Sequence, residues 1–314
     1  MDSYPRDLIE FERQFCSEDA CLEYLRQIRW RDGFVCPDCG GTRSWRVGKL
    51  EECSSCGRQT SVTAGTIFQD TKKPLFVWFR AMWQITSQKY GANALGLQRV
   101  LGFGSYRTAW AWLHKLRRAM IRPGRDRIGG AIEVDETLVG AAKPGRRGRG
   151  AAGKTLVLIA AQRDGRRIGR IRLQCIPDAS AGSLEAAVKE MVAPGTTIHT
   201  DGWKGYNGLA SVGYKHEVVR SGSCVGEDLL PKCHRVAGLL KRWLQGTMHG
   251  AVKPRYLDYY LDEYTFRFNR RKSASRGKLF YRLTQQAVQI EPAPWLPFIE
   301  SSSRIGPRKR PFKK

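Results

Sequence analysis

The chain has 314 residues, 41% of them hydrophobic, enough to bury one sizeable core with a smaller module or two to three compact units. Lys and Arg number 54 against 29 Asp and Glu, a formal charge of +25; this exceeds what solubility asks for and points to a polyanionic partner. No run approaches the roughly 20 apolar residues of a membrane span, and the start, MDSYPRDLIEF, lacks the basic and apolar segments of a signal peptide. A cytoplasmic, nucleoid-associated protein with no membrane partner is therefore expected.

Residues 1–30 carry Leu, Phe, Cys and Tyr at helical spacing and predict one or two amphipathic helices, with Cys16 and Cys21 read as core. Residues 31–66 contain Cys36-Pro37-Asp38-Cys39 and Cys53-Ser54-Ser55-Cys56, two C-x2-C pairs separated by thirteen residues. Each pair can turn two thiolates toward one tetrahedral centre, and in a reducing compartment this spacing predicts a structural zinc ribbon rather than disulfides. All four positions are thiolates, so a closed structural site is expected and no catalytic metal there.

Residues 67–125 turn helical. After the stripe KKPLFVWFRAMWQIT, the segments NALGLQRVLGFGS and YRTAWAWLHKLRRAM read as two helices around a Gly-containing turn. The reading is a helix-turn-helix whose exposed second-helix start carries Tyr106, Arg107, Thr108 and Trp110; an ordinary helical hairpin with a solvated basic edge is the alternative.

Residues 126–275 read as a separate α/β domain. Strands are expected at 132–139, 155–162 and 167–176, the last two joined through Arg163-Asp164-Gly165-Arg166; then come a helix at 180–192, a strand at 196–200, a fifth strand in YKHEVV and two helices at 232–249 and 253–271. That order is the order of a ribonuclease H-like mixed sheet with flanking helices. Residues 276–314 read as a basic tail ending Arg308-Lys309-Arg310-Pro311-Phe312-Lys313-Lys314.

The first strand, IEVDETLV, carries three carboxylates near its centre, costly to desolvate unless something cationic shares the site. Alternation sends Glu133, Asp135 and Thr137 to one face and Ile132, Val134 and Glu136 to the other. Asp201 ends the strand at 196–200, which in this order lies beside the first strand. Two neighbouring carboxylates repel, and divalent ions taking oxygen ligands remove the repulsion.

The ordered set C-x2-C…C-x2-C, VTAGTIFQDTKKPL, IEVDETLVG, HTDGWKGY, KCHRVAGLLKRWLQGTMHG and YLDEYTFRFNRR resembles bacterial insertion-sequence transposases that join an N-terminal zinc ribbon to a DDE-type (ISXO-like), retroviral-integrase-like catalytic domain. The resemblance spans about 20 to 280. It implies a transposase that binds terminal inverted repeats, cleaves DNA with two Mg2+ or Mn2+ ions and joins the ends to target DNA as a homo-oligomer on double-stranded DNA. Asp135 and Asp201 are then the first two metal-binding carboxylates. The third position, seven residues before Lys241, is His234 rather than a carboxylate. Imidazole is softer than an oxygen ligand and favours manganese. His234 as a helix-start residue without a metal role, with Glu227 or Asp228 substituting, is the other reading; Leu239 reads as core.

Lys241 and Arg242 are expected to meet phosphates near the metals, and Lys143, Arg146, Arg147 and Arg149 to form an arm along the DNA backbone, with Arg107, Arg270 and Arg271 as further DNA contacts. The missing third carboxylate motivates a second hypothesis, a catalytically impaired transposase descendant that binds DNA without cutting. A nuclease acting on RNA–DNA hybrids is a third, and nothing in that activity calls for a zinc ribbon.

Overall fold

The computed structural model describes residues 4–122, 124–140, 153–220, 228–249 and 252–292. The basic run with Lys143, Arg146, Arg147 and Arg149, Glu227, and the end of the tail lie outside the described residues.

Two helices open the chain, α1 (Leu8–Gln14) behind Asp7 and α2 (Glu18–Arg29) behind Ser17, each cap accepting an amide N–H from the first turn. Cys21 is buried, whereas Cys16, in the loop between them, is exposed. The next long helix, α3 (Leu75–Ser87), begins at Pro74, which offers no side-chain cap. Glu18 substitutes from a distance, its carboxylate accepting the amides of Leu75 and Phe76 at 2.8 and 3.1 Å. Phe11, Phe15, Tyr24 and Phe79 then pack around Phe280 with ring centroids 5.4 to 6.3 Å apart. Phe280 belongs to α9 (Arg276–Ala287), a helix in the stretch expected as tail, whose Leu279, Phe280, Leu283 and Ala287 are all buried in this core. Its apolar residues recur at helical spacing, so the basic character of residues 276–314 belongs to their far end and to the solvent side of α9.

The segment between α2 and α3 forms a small antiparallel sheet of β1 (Ser44–Val47), β2 (Leu50–Cys53) and β3 (Gln59–Ser61). Helices α4 (Ala94–Leu101) and α5 (Tyr106–Ala119) have the connectivity of a helix-turn-helix, but only the first turn of α5 faces solvent. Tyr106 and Arg107 are exposed; Trp110 is half-buried, 4.9 Å from the ring of Tyr256; and most of α5 beyond it is buried. α5 is thus a central strut rather than a helix with a free reading face, because its opposite sides pack on both cores.

The larger sheet has the order β6-β5-β4-β7-β8. β4 (Ala131–Val139), β5 (Thr155–Asp164) and β6 (Arg167–Ile176) form an antiparallel meander, and β7 (Thr197–Thr200) and β8 (Lys215–Val218) add in parallel to β4. One face, with Ile132, Val134, Leu158 and Ile198, is covered by α6 (Ala181–Met191) and a 3-10 helix at Lys204–Leu209. The other, with Val157, Ile159 and Leu173, is covered by α7 (Pro231–Met248) and α8 (Leu257–Asn269). This is the ribonuclease H-like α/β arrangement.

Buried polar contacts tie the helical body to the sheet layers. Arg117 of α5 donates to Glu263 of α8 at 2.8 Å, both fully buried, and breaking such a pair from one side costs about 3–5 kcal/mol. Arg267 of α8 donates to the backbone carbonyls of Ile85 and Gln88, and Trp243 and Thr247 of α7 both donate to that of Tyr90 at 2.9 and 2.7 Å.

Candidate metal centres and active site

The cysteine cluster is local. Cys36 and Cys39 sit on one turn, closed by the Gly40 amide on the Cys36 carbonyl at 3.0 Å, and Cys53 and Cys56 on a second, closed by the Gly57 amide on the Cys53 carbonyl at 2.9 Å. The hairpin of β1 and β2 brings the turns together, so all four Sγ atoms lie within 4.8 Å of one another, Cys36 to Cys56 and Cys39 to Cys53 at 3.6 Å. A tetrahedral zinc with bonds of about 2.3 Å separates its thiolates by about 3.8 Å, so the quartet fits that ion. Gly41 makes the approach possible: a Cβ there would meet Ser55 Oγ at 2.9 Å and the sulfurs of Cys53 and Cys39 at 3.1 and 3.3 Å. Backbone amides of Ser55 and Cys56 bring the Cys53 thiol down to about 6, favouring the ligating thiolate. The expected structural zinc site is present as a closed four-sulfur set.

The carboxylate site is assembled from distant segments. In the β4–β7 ladder Ala131 pairs with Thr197 and Glu133 with His199. Continued two residues, this register sets Asp135, in the middle of β4, beside Asp201, just past the end of the parallel strand β7. Asp201 accepts the amide of Trp203 at 3.0 Å, and the turn between them uses Gly202 at φ 72, where a Cβ would also meet Val218 at 2.9 Å. Asp135 is largely enclosed on the face covered by α7. Burial, then the charge of Glu136, and more weakly that of Asp201, push its carboxyl up to about 6, with His234 acting in the opposite direction. Oxygen donors brought together in this way suit a hard divalent ion, which would relieve their repulsion.

His234 stands across from this carboxylate in the first turn of α7. Its Nε2 is 3.2 Å from Asp135 Oδ2, and its Nδ1 is 2.5 Å from Asp228 Oδ1. The residue expected as third ligand is therefore at the site, and Asp228, one of the proposed substitutes, lies behind it rather than in its place. Among the described residues Asp135, Asp201 and His234 do not close to the spacing of the cysteine quartet. Lys241 is exposed and, seven residues on, lies on the same side of α7 about 10 Å further along the axis. Arg242 is exposed beside it; Leu239 is partly buried against the α7–α8 core, as expected.

The other two carboxylates of the strand have separate tasks, one of them invisible in the sequence. Glu133, 3% exposed, accepts the amides of Lys232 and Cys233 at 2.7 and 3.2 Å and so caps α7, whose own N-cap position is Leu230. The Cys233 thiol donates to the Glu133 carbonyl at 3.2 Å, and burial raises its pKa well above the usual thiol range. These bonds fix the start of α7 against β4 and thereby His234 against Asp135. On the opposite face Glu136 accepts the Tyr206 hydroxyl at 2.5 Å, and burial, then the Glu136 charge, hold that phenol protonated.

Of the arginines expected on DNA, Arg107 is exposed at the start of α5, beside a cleft of about 770 Å³. Arg270 and Arg271, at the end of α8, are engaged with the protein itself. Arg270 lies 4.0 Å over Phe266 and donates to its carbonyl; Arg271 lies 4.0 Å over Phe268 and donates to the carbonyls of Ile168, Gly169 and Phe268. No helix among the described residues is long and apolar enough to cross a membrane.

Comparison with known proteins agrees with this architecture. Residues 16–59 match the transposase zinc-ribbon domain family and residues 127–269 the ISXO2-like transposase domain family, together more than half of the chain. A protein of Halobacterium salinarum, described as an uncharacterized protein in transposable element ISH50, is 28% identical over 283 residues, covering 81% of this chain and 92% of its own. The chain belongs to the insertion-sequence transposases that join a transposase zinc ribbon to an ISXO2-like, DDE-type transposase domain.

Proposed function

We propose that this transposase binds the terminal inverted repeats of its element as a homo-oligomer, nicks their ends and joins the freed 3′-hydroxyls to target DNA. The observation that carries the reading is the meeting of Asp135, from the meander, with His234, from a helix about one hundred residues later, beside the register position of Asp201. Such a convergence does not serve to hold the core together, since burial and the charges of Glu136 and Asp201 work against the Asp135 carboxylate.

Asp135, Asp201 and His234 would hold two Mg2+ or Mn2+ ions, which polarise an attacking hydroxyl or water and stabilise the leaving oxygen of the phosphodiester. Asp228 would orient His234: a carboxylate on Nδ1 fixes the ring and leaves Nε2 aimed at the site. Lys241 would meet a phosphate as a point charge, Arg242 as a fork, and Arg107 a more distant part of the backbone. We assign residues 31–66 to the zinc module and 126–275 to catalysis, with the cell's DNA-containing compartment as the place of action.

One observation favours a second reading. His234 is already bracketed by two carboxylates, a state in which it could neutralise the site rather than serve it. Incubating an inverted-repeat duplex with Mn2+ separates the two. Wild type is expected to nick at the 3′ end of the element, and Asp135→Asn to bind the duplex without nicking it. Equal binding with nicking by neither would leave a DNA-binding protein that does not cut.

A further inference from the structure

A cleft of about 990 Å³ opens at the β6 edge of the sheet, where it meets the helical body, with β5 between it and the carboxylate strands. Among the described residues, eight arginines and three aspartates line it. They come from segments far apart in sequence: Arg122 and Arg125 from the connection between α5 and β4, Arg170 and Arg172 from β6, Arg270 from α8 and Arg282 from α9.

The cluster is under-neutralised. Asp126 takes Arg122 at 3.0 Å and also pairs with Arg170, which holds its carboxyl well below the usual range. Arg172, only 3% exposed, spends two nitrogens on the carbonyls of Ile171 and Asp126 at 3.0 and 2.7 Å, while its buried Nε meets no acceptor among the described residues. Burial, and then the charges of neighbouring arginines, bring the guanidinium groups of Arg172 and Arg270 down to about 10. Like charges forced together in this way are relieved by an anion.

We propose that this cleft is a second DNA contact of the transposase, gripping successive phosphates of a duplex backbone at a place separate from the cutting site. The guanidinium forks of Arg122, Arg125, Arg170 and Arg282 match phosphate oxygens, and the amide side chains of Gln285 and Gln289 add neutral hydrogen-bonding groups along the same wall. The volume stands at the top of the range for pockets that enclose a small molecule, which favours a backbone passing through over a captured free polyphosphate. Gly33 and Val35, immediately before Cys36, line the cleft, so DNA held there continues toward the zinc ribbon.

The test is duplex binding by the full, zinc-loaded chain without added divalent ions, so it stands or falls separately from the cleavage reading. The variant Arg122→Gln/Arg125→Gln/Arg282→Gln is compared with a charge-matched control, Lys72→Gln/Lys73→Gln/Lys189→Gln, whose lysines are exposed and outside the cleft. Unchanged zinc content and thermal midpoint show that both fold. On a duplex of about 30 base pairs the cleft variant is expected to lose roughly tenfold or more in affinity, and its log affinity against log salt to flatten by about 2 to 3, while the control stays within about twofold. Equal losses in the two variants would overturn the proposal. So would a variant that no longer binds inorganic pyrophosphate yet binds duplex as wild type does, since the cleft would then serve a free polyphosphate.

Discussion

The cysteine quartet and the carboxylate site are built on opposite principles. The cysteine quartet comes from one short stretch, its four sulfurs already stand at the spacing of a tetrahedral ion, and backbone amides favour at least one thiolate. The carboxylate site comes from β4, the end of β7 and α7, its side chains stand further apart, and burial works against the charge of Asp135. The first site makes a fold possible; the second is tolerated by a fold that other contacts hold together.

That contrast predicts opposite signs for ligand removal. The largest effect is expected at the ribbon: Cys36→Ser should abolish stoichiometric zinc retention, measured by metal analysis, and unfold residues 31–66, because structural zinc contributes on the order of 10 kcal/mol or more to such modules. Retention of one zinc per chain with an unchanged ribbon would break the comparison.

Asp135→Asn should instead stabilise the zinc-loaded protein when no other divalent ion is added. The folded pKa of about 6 lies above the unfolded value near 3.8, so the unfolded chain releases its proton first and stability falls as pH rises between those values. At pH 7 the substitution should recover about 2–3 kcal/mol in urea unfolding, and little below pH 4. Equal stability of both proteins across that window would mean the carboxylate is not under the strain described.

Much of this division was legible in the sequence. The C-x2-C spacing needs only local geometry, and the strand order follows from alternating hydrophobic runs, so both the ribbon and the neighbouring positions of Asp135 and Asp201 could be expected. His234 followed from the family resemblance, which implies a ligand seven residues before a basic residue of the last helix, here Lys241. What the sequence hid were tertiary pairings: that Glu133 turns away to cap α7, that Glu18 caps α3 across more than fifty residues, and that α9 closes the N-terminal core. Local pattern marked α5 as a reading helix, but it could not show that Arg117 would bury against Glu263 and leave only Tyr106 and Arg107 outside. The arginine cleft was illegible for the same reason, its members being scattered from α2 to α9.

Two smaller effects sharpen the account. Glu133→Ala should cost about 1–3 kcal/mol by leaving the Lys232 and Cys233 amides without their acceptor, read in urea unfolding, and should loosen His234 without altering zinc content. Asp228→Asn should leave stability and duplex binding unchanged and lower the Mn2+-dependent nicking rate roughly tenfold, as expected when the group orienting a ligand is weakened. A nicking rate equal to wild type would assign Asp228 to the surface alone.

The central claim, that Asp135 and Asp201 grip shared divalent cations, is tested most directly by titrating Mn2+ into the zinc-loaded protein and following its binding by electron paramagnetic resonance. Saturable binding by wild type, lost in both Asp135→Asn and Asp201→Asn while the zinc remains, is the predicted result. Mn2+ binding that survives either substitution unchanged would contradict it.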